Sequence, residues 1–334
     1  MSNLEPHPQE MLCGTEAEVG VARSRVELLE PREVPLGGPR AMNVRRTLPQ
    51  RQRSLIGAWC FVDHYGPDEV SETGGMRVPP HPHTGLQTVS WLFTGEIEHR
   101  DSAGFHAFVR PGELNLMTAG RGISHSEVST AETRILHGAQ LWVALPDHAR
   151  FTDPGFDHYT PEPVMTDAYE LRVFMGSLAG SVSPVALHSP LLGAELLLQP
   201  GQSAAFEVEE SFEYGVLVDS GTVRFNGATA TAEQLAYLPT GHREIVLTSE
   251  ADEPVRLLLI GGEPLGEAIV MWWNFVGRDH DEVVEFRTNW QAEIGAEPRP
   301  AGAAATNQFG TVVGNTLAPL PAPTLPNARI RPRR

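Results

Sequence analysis

The most informative stretch of this sequence is His81-Pro-His83-Thr84-Gly85, which is followed further along by His125-Ser-Glu127. On a β-strand, residues i and i+2 point to the same face, so each pair can direct both side chains into a sheet or barrel. Three imidazoles and one carboxylate suit Fe, Mn, Ni, Cu or Zn, and they argue against an all-oxygen Mg or Ca site. The sequence therefore predicts one metal ion, bound by His81, His83, His125 and Glu127. Iron is favoured, because such a set leaves coordination positions open.

A lone His-x-His pair is often a surface loop, but the surrounding residues favour a barrel. Gly75 precedes the pair, and a strand-like run from Thr88 to Phe93 follows it and ends at the turn glycine Gly95. The run from Arg110 to Glu127 supplies a returning strand, in which Gly120 and Gly122 permit a sharp turn before His125. This order of glycine, His-x-His, strand and turn glycine is the first signature of the cupin β-barrels.

At these residues the chain resembles the pirin family of bicupins, in particular a bacterial subgroup. The resemblance runs from about Arg45 to the helix that follows Trp272-Trp-Asn-Phe-Val276. The matching motifs are MTAGRGISHSE (117–127), DHYGP (63–67), HPHTG (81–85), QLWVALP (140–146) and GGEPL (261–265). It implies that His81, His83, His125 and Glu127 bind a metal, usually Fe(II). Gln87 departs from the family, where many members have glutamate, which puts the charge near the ligands in doubt but not the metal.

The resemblance implies two alternative functions. Some family members resemble quercetin 2,3-dioxygenases, so we expect a small aromatic flavonol, enol or catechol substrate and O2, with Glu127 as ligand and catalytic base. Apolar residues such as Val78, Leu92 and Met117 would line the pocket. The alternative is a non-catalytic iron-dependent redox sensor that binds a protein partner. A cupin-type sugar isomerase is disfavoured, because no phosphate-binding set accompanies the metal ligands.

Composition narrows the class of protein. The 334 residues, 41% of them apolar, are enough for two domains with separate cores. No apolar run is long enough to cross a membrane, and the first residues lack a secretory signal, so a cytoplasmic location is expected. Cys13 and Cys60 give no disulfide framework.

Charge argues against nucleic acid as a direct partner. The net charge is −17, which repels phosphate over most of the surface. The chain contains no lysine, and this excludes Schiff-base chemistry and a Gly-Lys-Ser/Thr phosphate loop. The arginines of the last six residues are interpreted as a solvated end rather than a nucleic-acid tail.

Turn-bounded strand patterns predict an all-β protein made of two cupin barrels, with a C-terminal helix and a Pro/Ala-rich tail. The expected divisions are a flexible acidic arm (1–20), an N-terminal metal-binding cupin (21–148), a C-terminal cupin without metal ligands (165–265) and a helix with tail (266–334). A segment rich in Pro, Asp and His between the barrels marks the boundary.

An internal repeat supports two barrels. Leu92–Ile97 aligns with Val218–Val223 as a strand, turn and strand, and the same offset places His81 and His83 opposite Glu207 and Glu209. We interpret these glutamates as an exposed strand face. The second barrel is therefore expected to hold no metal.

The C-terminal part is predicted to be helical. Asp279 or Asp281 can cap a helix whose apolar side chains recur at intervals of three and four, namely Val283, Phe286, Trp290 and Ile294. Beyond it, partial ordering of Phe309–Val312 and Leu320–Pro326 against a barrel is expected. Among the remaining histidines, His64 could line the mouth of the site or be satisfied in a turn, and His99 and His106 are minor candidates for contact with the metal.

Overall fold

Two antiparallel β-barrels make up most of the protein, which confirms the predicted all-β bicupin. The computed structural model describes residues 25–36, 42–302 and 305–333. The predicted acidic arm (1–20) and Cys13 lie outside the described residues. Among the described residues, no helix is both long and apolar enough to cross a membrane.

The first half of the chain supplies most of the first barrel. Its strands are β1 (Glu27–Leu29), β2 (Arg32–Leu36), β3 (Met42–Leu48), β4 (Trp59–Glu69), β5 (Arg77–His83), β6 (Leu86–Thr94), β7 (Ile97–Asp101), β8 (His106–Val109), β9 (Leu114–Thr118), β10 (Ile123–Ser129), β11 (Ile135–Ala144) and β12 (Gly155–Tyr159), with a one-turn helix α1 (Val70–Thr73) after β4.

The second half repeats this pattern and then adds a hairpin and a helix. Its strands are β13 (Val164–Met165), β14 (Tyr169–Met175), β15 (Ser177–Leu178), β16 (Ser181–Val182), β17 (Leu191–Leu198), β18 (Ser203–Glu207), β19 (Glu213–Ser220), β20 (Thr222–Phe225), β21 (Ala228–Thr231), β22 (Leu235–Leu238), β23 (Glu244–Ser249) and β24 (Val255–Gly262). The hairpin is β25 (Val270–Trp272) with β26 (Phe275–Gly277), and the helix is α2 (His280–Glu293).

Each barrel consists of a larger and a smaller sheet in the same order. The first has β12-β9-β6-β11-β4-β3-β2 facing β5-β10-β7-β8, and the second has β1-β22-β19-β24-β17-β14-β13 facing β18-β23-β20-β21. The edge strand β1 crosses to the second barrel, where it pairs with β22, while β12 pairs with β9 of the first barrel. The second barrel thus covers an open strand edge with chain from the first half.

The larger sheets of the two barrels pack face to face through an apolar core. Along β11, Ala139 and Leu141 face this core, whereas Gln140 and Trp142 alternate to the interior of the first barrel. Trp91 from the first barrel stacks on Phe174 from the second at 4.5 Å between ring centroids. Burying each such large side chain contributes about 1.5–3 kcal/mol, so the two barrels hold each other in a fixed arrangement.

The internal repeat is confirmed, but the predicted register around the metal ligands was wrong by one residue. His81 pairs with His125 across β5 and β10, and the corresponding pair across β18 and β23 is Phe206 with Ile245. Glu207 alternates to the outside, where it is exposed as predicted. The lengths of turns and bulges differ between the halves, and a slip of one residue on a strand reverses the face.

The C-terminal helix begins and packs as predicted. The side chain of Asp279 accepts a hydrogen bond from the backbone N–H of Glu282 and so caps α2. Val283, Phe286 and Trp290 are buried in a cluster with the aromatic residues of the β25–β26 hairpin. The tail is ordered against the first barrel, since Leu320 donates its N–H to the carbonyl of Pro80 and Phe309 is buried beside Trp290.

Candidate metal centre

Three histidines converge inside the first barrel. The pairing of β5 with β10 places His125 directly opposite His81, and alternation along β5 brings His83 to the same face. All three side chains are fully buried, and their ligand nitrogens lie within 4.8 Å of one another. Gly120 and Gly122, with φ of +52° and +151°, form the turn before β10, as their sequence predicted.

Backbone carbonyls fix the tautomers of His81 and His83. His81 Nδ1 lies 2.8 Å from the carbonyl oxygen of Pro79, and His83 Nδ1 lies 3.1 Å from that of Asn274 in the β25–β26 hairpin. Since a carbonyl only accepts, each Nδ1 carries the proton and each Nε2 presents a lone pair. The Nε2 atom of His81 is buried without a hydrogen-bond partner among the described residues. A metal ion would satisfy it.

A pair of side chains on β7 orients His125 from behind. His99 Nδ1 lies 3.4 Å from His125 Nδ1, and His99 Nε2 lies 3.1 Å from Asp101 Oδ2. A carboxylate accepts, so His99 donates from Nε2 and can accept at Nδ1 from His125. The Nε2 atom of His125, 3.1 Å from that of His83, is then also a lone-pair donor toward the centre.

Glu127 lies on the same side of the cluster as His99. It is fully buried on β10, and its carboxylate lies within 4.8 Å of ligand nitrogens of His125 and His99. A β-bulge between His125 and Glu127 shifts the pairing with β5 at this point. Ser90 on β6 lies 3.3 Å from Glu127 Oε1. The structure thus brings His81, His83 and His125 together, and it places Glu127 with His125 and with His99, which the sequence analysis treated only as a minor candidate.

Burial keeps the imidazoles neutral. It lowers the pKa of His81 to about 3, and together with the charge of the neighbouring histidines it lowers the pKa of His83 and of His125 well below the usual 6.5. Neutral imidazoles have the lone pair that a metal ion needs. The site is therefore prepared for a cation at neutral pH.

The second barrel shows that this polar interior is not required by the fold. The positions equivalent to His81, His125, Glu127 and His99 are occupied by Phe206, Ile245, Leu247 and Phe225, as the matching strand registers show. These four residues are buried in an apolar core. The same barrel is stable with hydrocarbon at these positions, so the histidines and the carboxylate of the first barrel have a function other than packing.

Other residues named from the sequence lie away from the centre. His64 is at the interface between the barrels, where its Nε2 lies 2.7 Å from Asp219. His106 lies on the surface of the first barrel, with its Nε2 2.8 Å from Glu98. Gln87 points to the opposite face of β6 and donates to Thr118, so its lack of charge does not affect the ligands directly. The predicted pocket residues Val78, Leu92 and Met117 are buried inside the first barrel.

Sequence reasoning did not find Asp101, Ser90, Gln140 or Asn274. Asp101 follows His99 at the i+2 spacing that identified the ligand pairs, so this signal was present. Ser90 and Gln140 are neutral side chains on mostly apolar strands, so no metal-ligand spacing marks them. Asn274 acts through its backbone carbonyl, which no side-chain motif reveals.

Comparisons with known proteins agree with this geometry. The pirin family profile matches residues 41–143, and the profile of the pirin C-terminal cupin domain matches residues 193–294. The chain belongs to the pirin family. A pirin-like protein of Caulobacter vibrioides is 35% identical to it over 259 residues, which cover 75% of this chain and 88% of that protein.

Two further relatives of this pirin carry the name of an enzyme. A Pseudomonas aeruginosa protein provisionally named quercetin 2,3-dioxygenase is 43% identical over 261 residues, covering 78% of this chain and 82% of that protein. A quercetin 2,3-dioxygenase from Acinetobacter baumannii, known from a crystal structure, is 38% identical in sequence and superposes with a TM-score of 0.83. The match covers 92% of this chain and 97% of the Acinetobacter chain.

Proposed function

We propose that this pirin is a metal-dependent dioxygenase, with iron as the favoured metal, that acts on a flavonol or a related enol or catechol. The observation that carries the proposal is the convergence of three buried, neutral imidazoles beside a buried carboxylate, with His81 Nε2 left without a partner among the residues that the structure describes. The relatives named as quercetin 2,3-dioxygenases support the reaction class.

In this proposal His81, His83, His125 and Glu127 hold the ion. A metal with four protein ligands keeps positions for a substrate and dioxygen and supplies Lewis acidity and redox chemistry there. Glu127 would accept the proton of the substrate hydroxyl, since a carboxylate beside the reacting oxygen is a suitable base. The apolar residues of the surrounding barrel exclude water, which strengthens each of these electrostatic interactions.

Oxygen consumption by matched proteins tests the proposal. The protein is purified anaerobically, its metal content is measured, and oxygen uptake is followed with a panel of flavonols and catechols. The control is the His81→Ala/His83→Ala protein, which should bind no metal and consume oxygen only at the background rate. Equal uptake by both proteins across the panel, together with an affinity for a protein partner that changes with iron oxidation, would replace the dioxygenase with the redox-sensor alternative.

A further inference from the structure

Gln140 is a buried amide that the metal ligands do not explain. It lies on β11 with no exposed surface, and its side chain faces the interior of the first barrel together with that of Trp142, whose ring is 5.1 Å from the ring of His83. One end of the amide lies 2.9 Å from Ser90 Oγ. The other end has no hydrogen-bond partner among the described residues. An unsatisfied buried amide atom costs about 1–3 kcal/mol.

Ser90 connects this amide to the metal centre. Its hydroxyl lies between Gln140, at 2.9 Å, and Glu127 Oε1, at 3.3 Å. A hydroxyl has one proton, so it cannot donate to a carboxylate and to an amide oxygen at once. The consistent arrangement has Gln140 Nε2 donating to Ser90 and Ser90 donating to Glu127, because the two ends of an amide are assigned from their partners. The amide oxygen of Gln140 is then the group without a partner.

Tyr65 adds a second such group. Its side chain is fully buried on β4, and its hydroxyl also lacks a hydrogen-bond partner in the described part of the chain. Across the neighbouring strand pair, Tyr65 is opposite Gly138, and Gln140 is opposite Asp63, so Tyr65 and Gln140 are on adjacent strands of one sheet. Burial, and after it the charge of Glu127, raises the pKa of Tyr65, so its hydroxyl keeps its proton as a donor.

The second barrel again provides the internal comparison. The positions equivalent to Ser90 and Gln140 are Val216 and Leu259, which pair across β19 and β24 and are fully buried. The position equivalent to Tyr65 is Leu196, opposite Leu257 on β24. The fold thus accepts aliphatic side chains at all three positions. Packing of this fold therefore does not require the polarity of Ser90, Gln140 and Tyr65 in the first barrel.

We propose that Gln140 and Tyr65 form a subsite that binds an oxygen substituent of the substrate outside the pair of oxygens that chelates the metal. The ligand class is a polyhydroxylated aromatic molecule, whose additional hydroxyl donates to the Gln140 carbonyl or accepts from Tyr65. This inference rests on the proposed function, because it concerns the substrate of the same metal site.

Binding of simple probes tests the subsite without turnover. Catechol has only the chelating pair of hydroxyls, whereas pyrogallol and hydroxyquinol each add a third. Their dissociation constants are measured anaerobically on the iron(III)-loaded protein from the charge-transfer absorbance of the bound catecholate. For each protein, the selectivity ratio is the dissociation constant of catechol divided by that of the triol. Comparing this ratio between wild type and a variant cancels the differences in intrinsic acidity between the probes.

The variants are Gln140→Leu and the more conservative Tyr65→Phe. For at least one triol, we expect the selectivity ratio of Gln140→Leu to be about tenfold lower than that of wild type, because one buried hydrogen bond is lost. The metal content should be unchanged, and the melting temperature should be equal or higher. Gln87→Leu is the matched control, because Gln87 is also buried, with an amide oxygen that has no partner in the described segments, but faces away from the metal centre. The selectivity ratio of Gln87→Leu should equal that of wild type.

Two outcomes would overturn the inference, and they are distinguishable. If all probes bind but the ratio is the same in wild type, Gln140→Leu and Tyr65→Phe, the subsite does not exist while the proposed function stands. If no probe gives a charge-transfer band on iron-loaded wild-type protein, metal binding of the substrate oxygens fails, and the proposed function fails with it.

Discussion

The substitution Asp101→Asn should weaken metal binding without unfolding the barrel, although Asp101 is not a ligand. Asp101 Oδ1 accepts hydrogen bonds from the backbone N–H groups of Ala103 and Phe105, at 2.9 and 3.0 Å. An asparagine would keep its oxygen there and turn its NH2 group toward His99 Nε2. His99 would then have to accept at Nε2 and carry its proton on Nδ1, facing His125.

This change in the tautomer of His99 affects the predicted metal ligand His125 directly. With a proton on His99 Nδ1, 3.4 Å from His125 Nδ1, His125 is driven to the tautomer that has its proton on Nε2, where the metal must bind. Binding then requires the less favourable tautomer and the loss of one buried hydrogen bond. Substitutions of groups that support metal ligands cost about 10–100-fold in metal affinity, which corresponds to about 1.4–2.8 kcal/mol.

Competition with a chelator of known affinity measures this effect. The control is His106→Gln, which removes the other imidazole and carboxylate pair of the β7–β8 hairpin, His106 with Glu98, on the exposed surface. We expect wild-type affinity for the control and a melting temperature of metal-free Asp101→Asn close to that of wild type. Wild-type metal affinity in Asp101→Asn would refute the tautomer argument, whereas a collapse of the melting temperature would show that Asp101 acts mainly on folding.

Three further predictions concern the ligands and the interface. His125→Ala should lower the metal content, measured by elemental analysis, from about one ion per chain to near zero, because His125 belongs both to the group with His81 and His83 and to the group with Glu127. Full retention of the metal would contradict the single site. At matched metal content, Glu127→Gln should reduce turnover more than substrate affinity in steady-state assays, and an unchanged rate would leave Glu127 as a ligand only. Burial lowers the pKa of His64, so the unfolded chain takes up its proton first, and stability that is complete above about pH 6.5 should fall by up to about 1.4 kcal/mol per pH unit below it. Denaturant titrations at pH 7 and 5.5 should show that the free energy of unfolding changes less with pH in His64→Gln than in wild type. An equal change in both proteins would contradict this prediction.

Local patterns predicted much of the fold, because they act over a few residues. The i, i+2 spacing of His81 with His83 and of His125 with Glu127 reflects strand alternation, and in the structure His125 belongs both to a group with His81 and His83 and to a group with Glu127. Asp279 and the apolar residues of α2 follow the rules of helix capping and periodicity. The repeated strand and turn pattern predicted two barrels.

Contacts between distant segments were beyond such patterns. The pairing of β1 with the second barrel leaves no periodic signal, since an edge strand has the same sequence pattern whichever sheet it joins. The alignment of the two halves slipped by one residue for a related reason, because loop and bulge lengths set the register and are not visible in composition. His64 proved to be an interface residue only once the second barrel supplied Asp219.

The amino-acid sequence alone identified which atoms could bind a metal, and it predicted that two strands would present them. The tertiary structure decided which nitrogen of each ring is available, through the carbonyl of Asn274, which is 191 positions from His83, and through the chain from Asp101 to His99 to His125. Within the described part of the chain, it also left polar side-chain atoms of Gln140 and Tyr65 buried without a hydrogen-bond partner. The physical reason is that ligand identity is covalent and local, whereas tautomer, burial and unsatisfied polarity depend on neighbours that only folding brings together.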